Sequence, residues 1–243
     1  MEQDKEYEKE INVYYDECSR DYEIVWQLND ALALHYGFWD ENTLTHRQAL
    51  WNMNFQVARH AQIREGECVL DAGCGVGGTA FFLATHFHCQ VEGISIIRWH
   101  INRANAMKAK QKDIENRVSF SCQDYQNTNF ADESFDVIIG IESICHATPK
   151  SAFLNEAFRL LKPGGRLVMT DYFLRATRSE KEARTLKNWS KAWAINDFIV
   201  EDEFLSLIKE TGFQTCMVKD LSRETLPSVK LMHRSYYPGV FIS

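Results

Sequence analysis

The stretch Val69–Gly78, "VLDAGCGVGG", constrains the fold more than any other part of the chain. It places Gly73, Gly75, Gly77 and Gly78 in six positions, just behind a carboxylate, in a chain with only 12 glycines. The run before it, "GECVLDAG", reads as a short buried strand. The run after it, "GTAFFLATHFH", has apolar positions three to four apart and reads as a helix. A glycine-rich turn between strand and helix lets the backbone approach a ligand closely. It also presents free N–H groups at a helix N-terminus. The pattern predicts a nucleotide-sized pocket.

The rest of the chain repeats the strand-helix alternation. "CQVEGIS" precedes a helix over 98–112, and "VSFSC" precedes a polar loop. "FDVIIGI" is followed, after Pro149, by a helix over 150–161, and "KPGG" turns into the strand "RLVMTDYF". A helix near 201–211, ended by Gly212, leads into "FQTCMVKDL" as a further strand. Apolar strands separated by helices predict a parallel sheet covered on both faces, with ligands beyond the strands' carboxyl ends. Residues 1–66 read as a helical, aromatic arm, and 67–243 as the core, with a lid segment near 174–200. "YYPGVFIS" at the C-terminus reads as a shortened final strand.

Charge narrows the partners. A net charge of -7 leaves no basic footprint for nucleic acid. No apolar run approaches the ~20 residues of a membrane span. The first ten residues carry seven charges and no apolar block, so no secretory signal is expected. Seven cysteines, an odd number without a framework, point to free thiols in a reducing cytoplasm. "HFHC" at 86–89 falls where a helix should end, so surface histidines are expected there and no metal.

Gly73, Gly75 and Gly78 satisfy the dinucleotide fingerprint G-x-G-x-x-G. Asp71, however, would repel a pyrophosphate and would suit a cation such as an ammonium or a sulfonium. It would equally order the loop by accepting backbone N–H bonds.

Three stretches together resemble the class I S-adenosylmethionine-dependent methyltransferases. These are "VLDAGCGVGG", "QDYQNTNFADESFDVI" and "LLKPGGRLVMTD". The resemblance covers roughly residues 47–220. It implies a Rossmann-like, doubly wound, mostly parallel sheet of seven strands. It also implies S-adenosylmethionine as cofactor, with Asp71, Gly73 and Gly75 at the methionine end, Asp124 at the adenine, and Cys74 and Tyr125 elsewhere in the cofactor site. Most such enzymes carry an acid at the end of the second strand for the ribose. Ser95 stands there instead, where it would serve the ribose or merely cap the next helix.

"GIS-I" and the front segment "INVYYDECSRDYEIVWQLNDALALHYGFWDENT" resemble the tocopherol, sterol and natural-product subgroup. That likeness puts Tyr15 against the cofactor and Phe38 and Trp39 near the acceptor. Trp26, Trp51 and Phe55 are expected to be packing residues. The subgroup's E-S-x-x-H maps onto Glu142, Ser143 and His146, beside the methyl group.

His146 is the candidate base, since its ordinary pKa is ~6.5. Asp171 would orient it, act as a base itself, or hold the lid. Trp189 and Trp193, four residues apart, would share one helical face of the lid and wall an apolar acceptor. O- or C-methylation of a hydrophobic natural product ranks first. N-methylation of a small amine and a non-methylating protein that binds the cofactor are the alternatives.

Overall fold

The computed structural model describes residues 2–18, 28–174, 179–196, 198–214 and 217–239. Within them five strands form one parallel sheet: β1 (Cys68–Ala72), β2 (Gln90–Ser95), β3 (Val118–Cys122), β4 (Phe135–Ile141) and β5 (Leu161–Thr170). Their spatial order is β3-β2-β1-β4-β5. The chain runs outward from β1 to β3, then returns to β4 on the other side of β1. That reversal opens a crevice at the carboxyl ends of β1 and β4.

The helices are α1 (Glu2–Glu17), α2 (Leu28–Ala31), α3 (His46–His60), α4 (Gly78–Phe87), α5 (Arg98–Lys108), α6 (Lys150–Leu160), α7 (Glu180–Ala192), α8 (Glu201–Thr211) and α9 (Ser222–Gly239). Strand alternation sorts the core into two faces. Val69, Val91, Val137 and Ile139 pack with Met53 and Val57 of α3 and Leu83 of α4. Leu70, Ala72, Ile94 and Ile138 pack with Phe153 and Leu160 of α6 and Phe204 of α8. Each Val, Leu, Ile, Met or Phe side chain among them contributes about 1.5–3 kcal/mol on burial. Asp71 belongs to the first face by register, beside Gly93 and Ile139, and so stands at the crevice with α4.

Two stretches differ from the sequence reading. The described residues hold five strands, where the resemblance implied seven. "FQTCMVKDL" forms no strand in its described part, and Thr215 and Cys216 lie outside the described residues. The C-terminal stretch is helical as far as Gly239, and residues 240–243 lie outside the described residues. The reason is a helical spacing of contacts. Ser228 bonds to the arm, and Val229 and Met232 pack with Tyr36. A strand would turn Val229 away from the face that Ser228 and Met232 use.

Candidate functional site

Gly73, Gly75 and Gly77 all have positive φ, at 89°, 51° and 90°. Their freedom is used for packing as much as for a ligand. A Cβ on Gly73 would lie 2.4 Å from the Cβ of Ser143, and one on Gly78 would lie 2.1 Å from the carbonyl oxygen of Leu32. The loop is thus clamped between the β4 loop and the segment after α2. Together they enclose a cavity of about 740 Å³ including its mouth.

Asp71 is 2% exposed at the cavity wall. Its carboxylate accepts from the backbone N–H of Ala80, while Oδ2 is buried without a partner. Burial pushes its pKa up to about 7. So Asp71 accepts a backbone N–H as the loop-ordering reading requires, and its other oxygen is buried without a partner in a residue of the cavity wall. Cys74 also lines the cavity, and burial pushes its thiol well up, which keeps it un-ionised.

Ser95, at the end of β2, accepts from the N–H of Ile97 at 3.1 Å. It therefore braces the turn into α5, and its Oγ lies 3.4 Å from Nδ1 of His100. His100 is 2% exposed, its Nε2 has no partner, and burial lowers its pKa to about 3. Tyr15 of α1 packs edge-on against His100, with ring centroids 4.9 Å apart, and against His146 at 6.1 Å. Tyr125 also lines the cavity, and its hydroxyl donates to the Ser143 carbonyl at 2.8 Å. Asp124 is exposed, accepts from Gln126 N–H at 2.8 Å, and is not in the cavity wall.

The loop after β4 supplies Glu142 and His146. Glu142 has φ 49°, and its carboxylate accepts from Tyr36 N–H at 2.8 Å and from the Tyr172 hydroxyl. Burial pushes its pKa up to about 8. It ties the arm to the end of β5 across the cavity. The Nδ1–H of His146 donates to the carbonyl of Ala194 at 3.1 Å, which leaves Nε2 as the bare nitrogen. Burial lowers the His146 pKa to about 4, so the ring is neutral across the working range. Asp171 does not orient it. Its two oxygens accept from Cys145 N–H and Tyr172 N–H, both at 2.8 Å, and so hold the β4 loop to β5. Burial pushes its pKa up to about 6.

The expected acceptor residues fall in two groups. Trp189 and Trp193 lie 5.7 Å apart, in a cluster with Tyr172, Cys145, Ile195 and Phe198, and are not in the cavity wall. Trp189 stacks on Phe198 at 5.3 Å. Phe38 and Trp39 stand elsewhere. Phe38 is buried in the core with Met53 and Val57, and Trp39 donates from Nε1 to Ser228 at 2.9 Å. The glycine after Tyr36 turns these two rings toward α3 and α9. A Cβ on Gly37 would lie 2.4 Å from the Cβ of Ala49, so the backbone is pressed onto α3 there.

Sequence reasoning missed His100 and the Leu32–His35 segment, both of which line the cavity. The position of His100, five residues past Ser95 on the first turn of α5, was the available signal. Trp26 lies outside the described residues. Trp51 and Phe55 are partly exposed on α3, and Phe55 packs edge-on with Phe82 at 4.6 Å.

A methyltransferase-domain model matches residues 63–220. The 27-O-demethylrifamycin SV methyltransferase of Amycolatopsis mediterranei is 31% identical over 215 residues, 87% of this chain and 79% of that protein. The structure of geranyl diphosphate methyltransferase with geranyl diphosphate and sinefungin superposes with a TM-score of 0.79. It is 20% identical, over 93% of this chain and 87% of that one. The [4+2]-cyclase SpnF superposes with a TM-score of 0.72 at 23% identity, over 89% and 80%. The two structural likenesses establish the fold alone. Among the described residues no helix is long and apolar enough to cross a membrane.

Proposed function

Because the chain belongs to the methyltransferase-domain family, we propose that it moves a methyl group from S-adenosylmethionine to a hydrophobic small molecule. O- or C-methylation ranks first. The observation that carries the cofactor assignment is Asp71. A buried carboxylate with one oxygen lacking a partner, in the wall of the cavity, suits a cationic ligand and opposes a pyrophosphate. The cavity also gathers the glycine loop, Ser95, Tyr125, Glu142 and His146 around one space, the convergence of a few polar groups expected of a small-molecule site.

The residues fit the cofactor in a simple order. Asp71, Gly73, Cys74 and Gly75 hold the methionine end. Ser95 and Tyr15 flank the ribose, and Tyr125 lies toward the adenine. Glu142 shapes the wall near the methyl. S-adenosylmethionine supplies a methyl already activated by a cationic sulfur. The protein's larger contribution is alignment, up to ~7–11 kcal/mol in ideal cases. His146 Nε2 takes the proton that an O–H or C–H acceptor gives up as its bond to the methyl forms.

Residues 179–196, the described middle of the segment near 174–200, act as the lid, with Trp189 and Trp193 on its acceptor side. The name of the rifamycin relative supports a natural-product acceptor. The test uses S-adenosylmethionine with a labelled methyl and a panel of phenolic, isoprenoid and small-amine acceptors. Label in a phenol or isoprenoid is the expected result. Label only in amines would overturn the acceptor class. Binding of S-adenosylhomocysteine without transfer to any acceptor would favour a non-methylating protein.

A further inference from the structure

Three separate parts of the chain meet at one backbone carbonyl. Ala194 follows α7 and has φ 50°, a left-handed conformation that glycine usually takes at a helix end. Trp193 N–H donates to Trp189 O, and Ile195 N–H donates to Ser190 O, which closes the turn. The left-handed residue turns its carbonyl out of the helix direction. Two donors meet it there: the hydroxyl of Tyr7 from α1 at 3.0 Å, and Nδ1–H of His146 at 3.1 Å. The Tyr7 oxygen accepts in turn from Asn196 N–H at 3.3 Å. A carbonyl oxygen has two lone pairs, and both are used.

We infer that Tyr7 is a positioning residue. By sharing the Ala194 carbonyl with His146, it makes the docking of α1 on the lid turn fix which nitrogen of that imidazole faces the cavity. The inference rests on the reading of His146 as the base for its use in catalysis, but not for the tautomer itself. The carbonyl can only accept, so Nδ1 must carry the hydrogen and Nε2 the lone pair. Tyr7 holds that carbonyl from one side, and the Asn196 N–H bond holds Tyr7 from the other. A base with its lone pair on the wrong nitrogen would be of no use to an acceptor.

The ring's other neighbours leave this choice open. Tyr15 of α1 meets it through ring contact, at 6.1 Å. Lys150 of α6 is a cation that acts on the ring, and its Nζ donates to the Cys145 and Ala147 carbonyls at 2.7 Å. The carboxylates of Asp171 and Glu142 are directed at backbone N–H groups and at Tyr172. Tyr7 is pushed up to about 12 by burial, so its hydroxyl keeps its hydrogen for donation. Arm, lid and base form one assembly, which is complete only when α1 and the turn after α7 are both in place.

The test is nitrogen NMR of the full chain labelled with ¹⁵N-histidine, with S-adenosylhomocysteine added, for the wild type and Tyr7→Phe. Phe keeps the ring and removes only the hydroxyl. In the wild type, His146 should show a single tautomer with hydrogen on Nδ1, protonated only in strong acid. In Tyr7→Phe both tautomers should appear, and protonation should need a lower pH still, because the bond to Ala194 raises the pKa of this ring while burial lowers it. His146→Ala tests the base separately. An unchanged turnover there would end the catalytic role and leave the tautomer latch standing. A Tyr7→Phe spectrum with the wild-type tautomer and titration, or a wild-type ring with hydrogen on Nε2, would overturn the inference.

Discussion

The cavity has two unlike walls. One is made by β1, β2 and β4 and the loops that leave them. Its residues are buried, its glycines hold positive φ, and its strands are paired on both sides at β1. The other wall is made by Ile11 and Tyr15 of α1 and by the Leu32–His35 segment, and the turn after α7 is bound to α1 outside it through Tyr7. It is held by a few long-range bonds: Tyr36 N–H to Glu142, Gly37 N–H to Ser228, and Tyr7 to Ala194. These join residues 106, 191 and 187 apart in sequence. α7 buries no residue fully. The first wall is a fixed floor. The second has the low contact density of parts that open. A site that must admit two ligands and then exclude water needs both.

If that contrast is right, damage to the floor and damage to the cover should read out differently. The largest expected effect is at their meeting point. His146→Ala should lower kcat by ~10²–10⁴-fold for an O–H or C–H acceptor, with cofactor affinity unchanged. Because burial holds this imidazole near pKa 4, the wild-type rate should stay level from pH 8 down to about 5 and fall only below that. A fall centred near the ordinary histidine value would show that the cover is open during turnover.

Gly78→Ala comes next. Its Cβ would meet the Leu32 carbonyl at 2.1 Å, and Gly78 has no positive φ to confound the result. Overpacking of this kind costs about 1–3 kcal/mol. Floor and cover should separate, so the thermal midpoint and cofactor affinity should drop together. A drop in the midpoint alone would mean that the cover contributes nothing to holding the cofactor.

Trp189→Ala should act on the cover alone. The expected outcome is a raised acceptor KM with little change in cofactor affinity, read by steady-state kinetics. A lost thermal transition would instead make the aromatic cluster part of the core.

A further effect is on pH-dependent stability. Asp71, Asp171 and Glu142 have pKa values raised to about 7, 6 and 8 by burial. The folded chain then holds protons that the unfolded chain has released. That stabilisation is full below about pH 4 and is lost as pH rises through 6 to 8. The chain without ligand should lose midpoint across pH 5–8, and Asp71→Asn should lose less. An equal slope in the variant would remove Asp71 from this account.

The floor was largely legible in the sequence, because local backbone demands are written in residue types. Asp71, the glycines, Ser95 and the Glu142–His146 run all reach the cavity or its rim. Asp124 did not, because a carboxylate after a strand turns to its own loop as readily as to a ligand. The cover was legible only as composition. Aromatics in a helical segment do not say which face they present, so Phe38 and Trp39 were placed at the acceptor while the fold packs them toward α3 and α9. The holder of His146 could not be read at all. It is a backbone carbonyl 48 residues away, and any side chain could stand there.

The central claim is that Asp71 anchors a cationic cofactor in the floor. Titration calorimetry with S-adenosylhomocysteine, on the wild type and Asp71→Asn at pH 6 and pH 8, tests it most directly. With a carboxylate of pKa about 7, the wild type should bind up to about 10-fold tighter at pH 8 than at pH 6. A charge-assisted bond contributes about 1.5–3 kcal/mol, so the Asn variant should bind about 10–100-fold more weakly at pH 8 and lose the pH dependence. An Asn variant that matches the wild type at both pH values would contradict the claim.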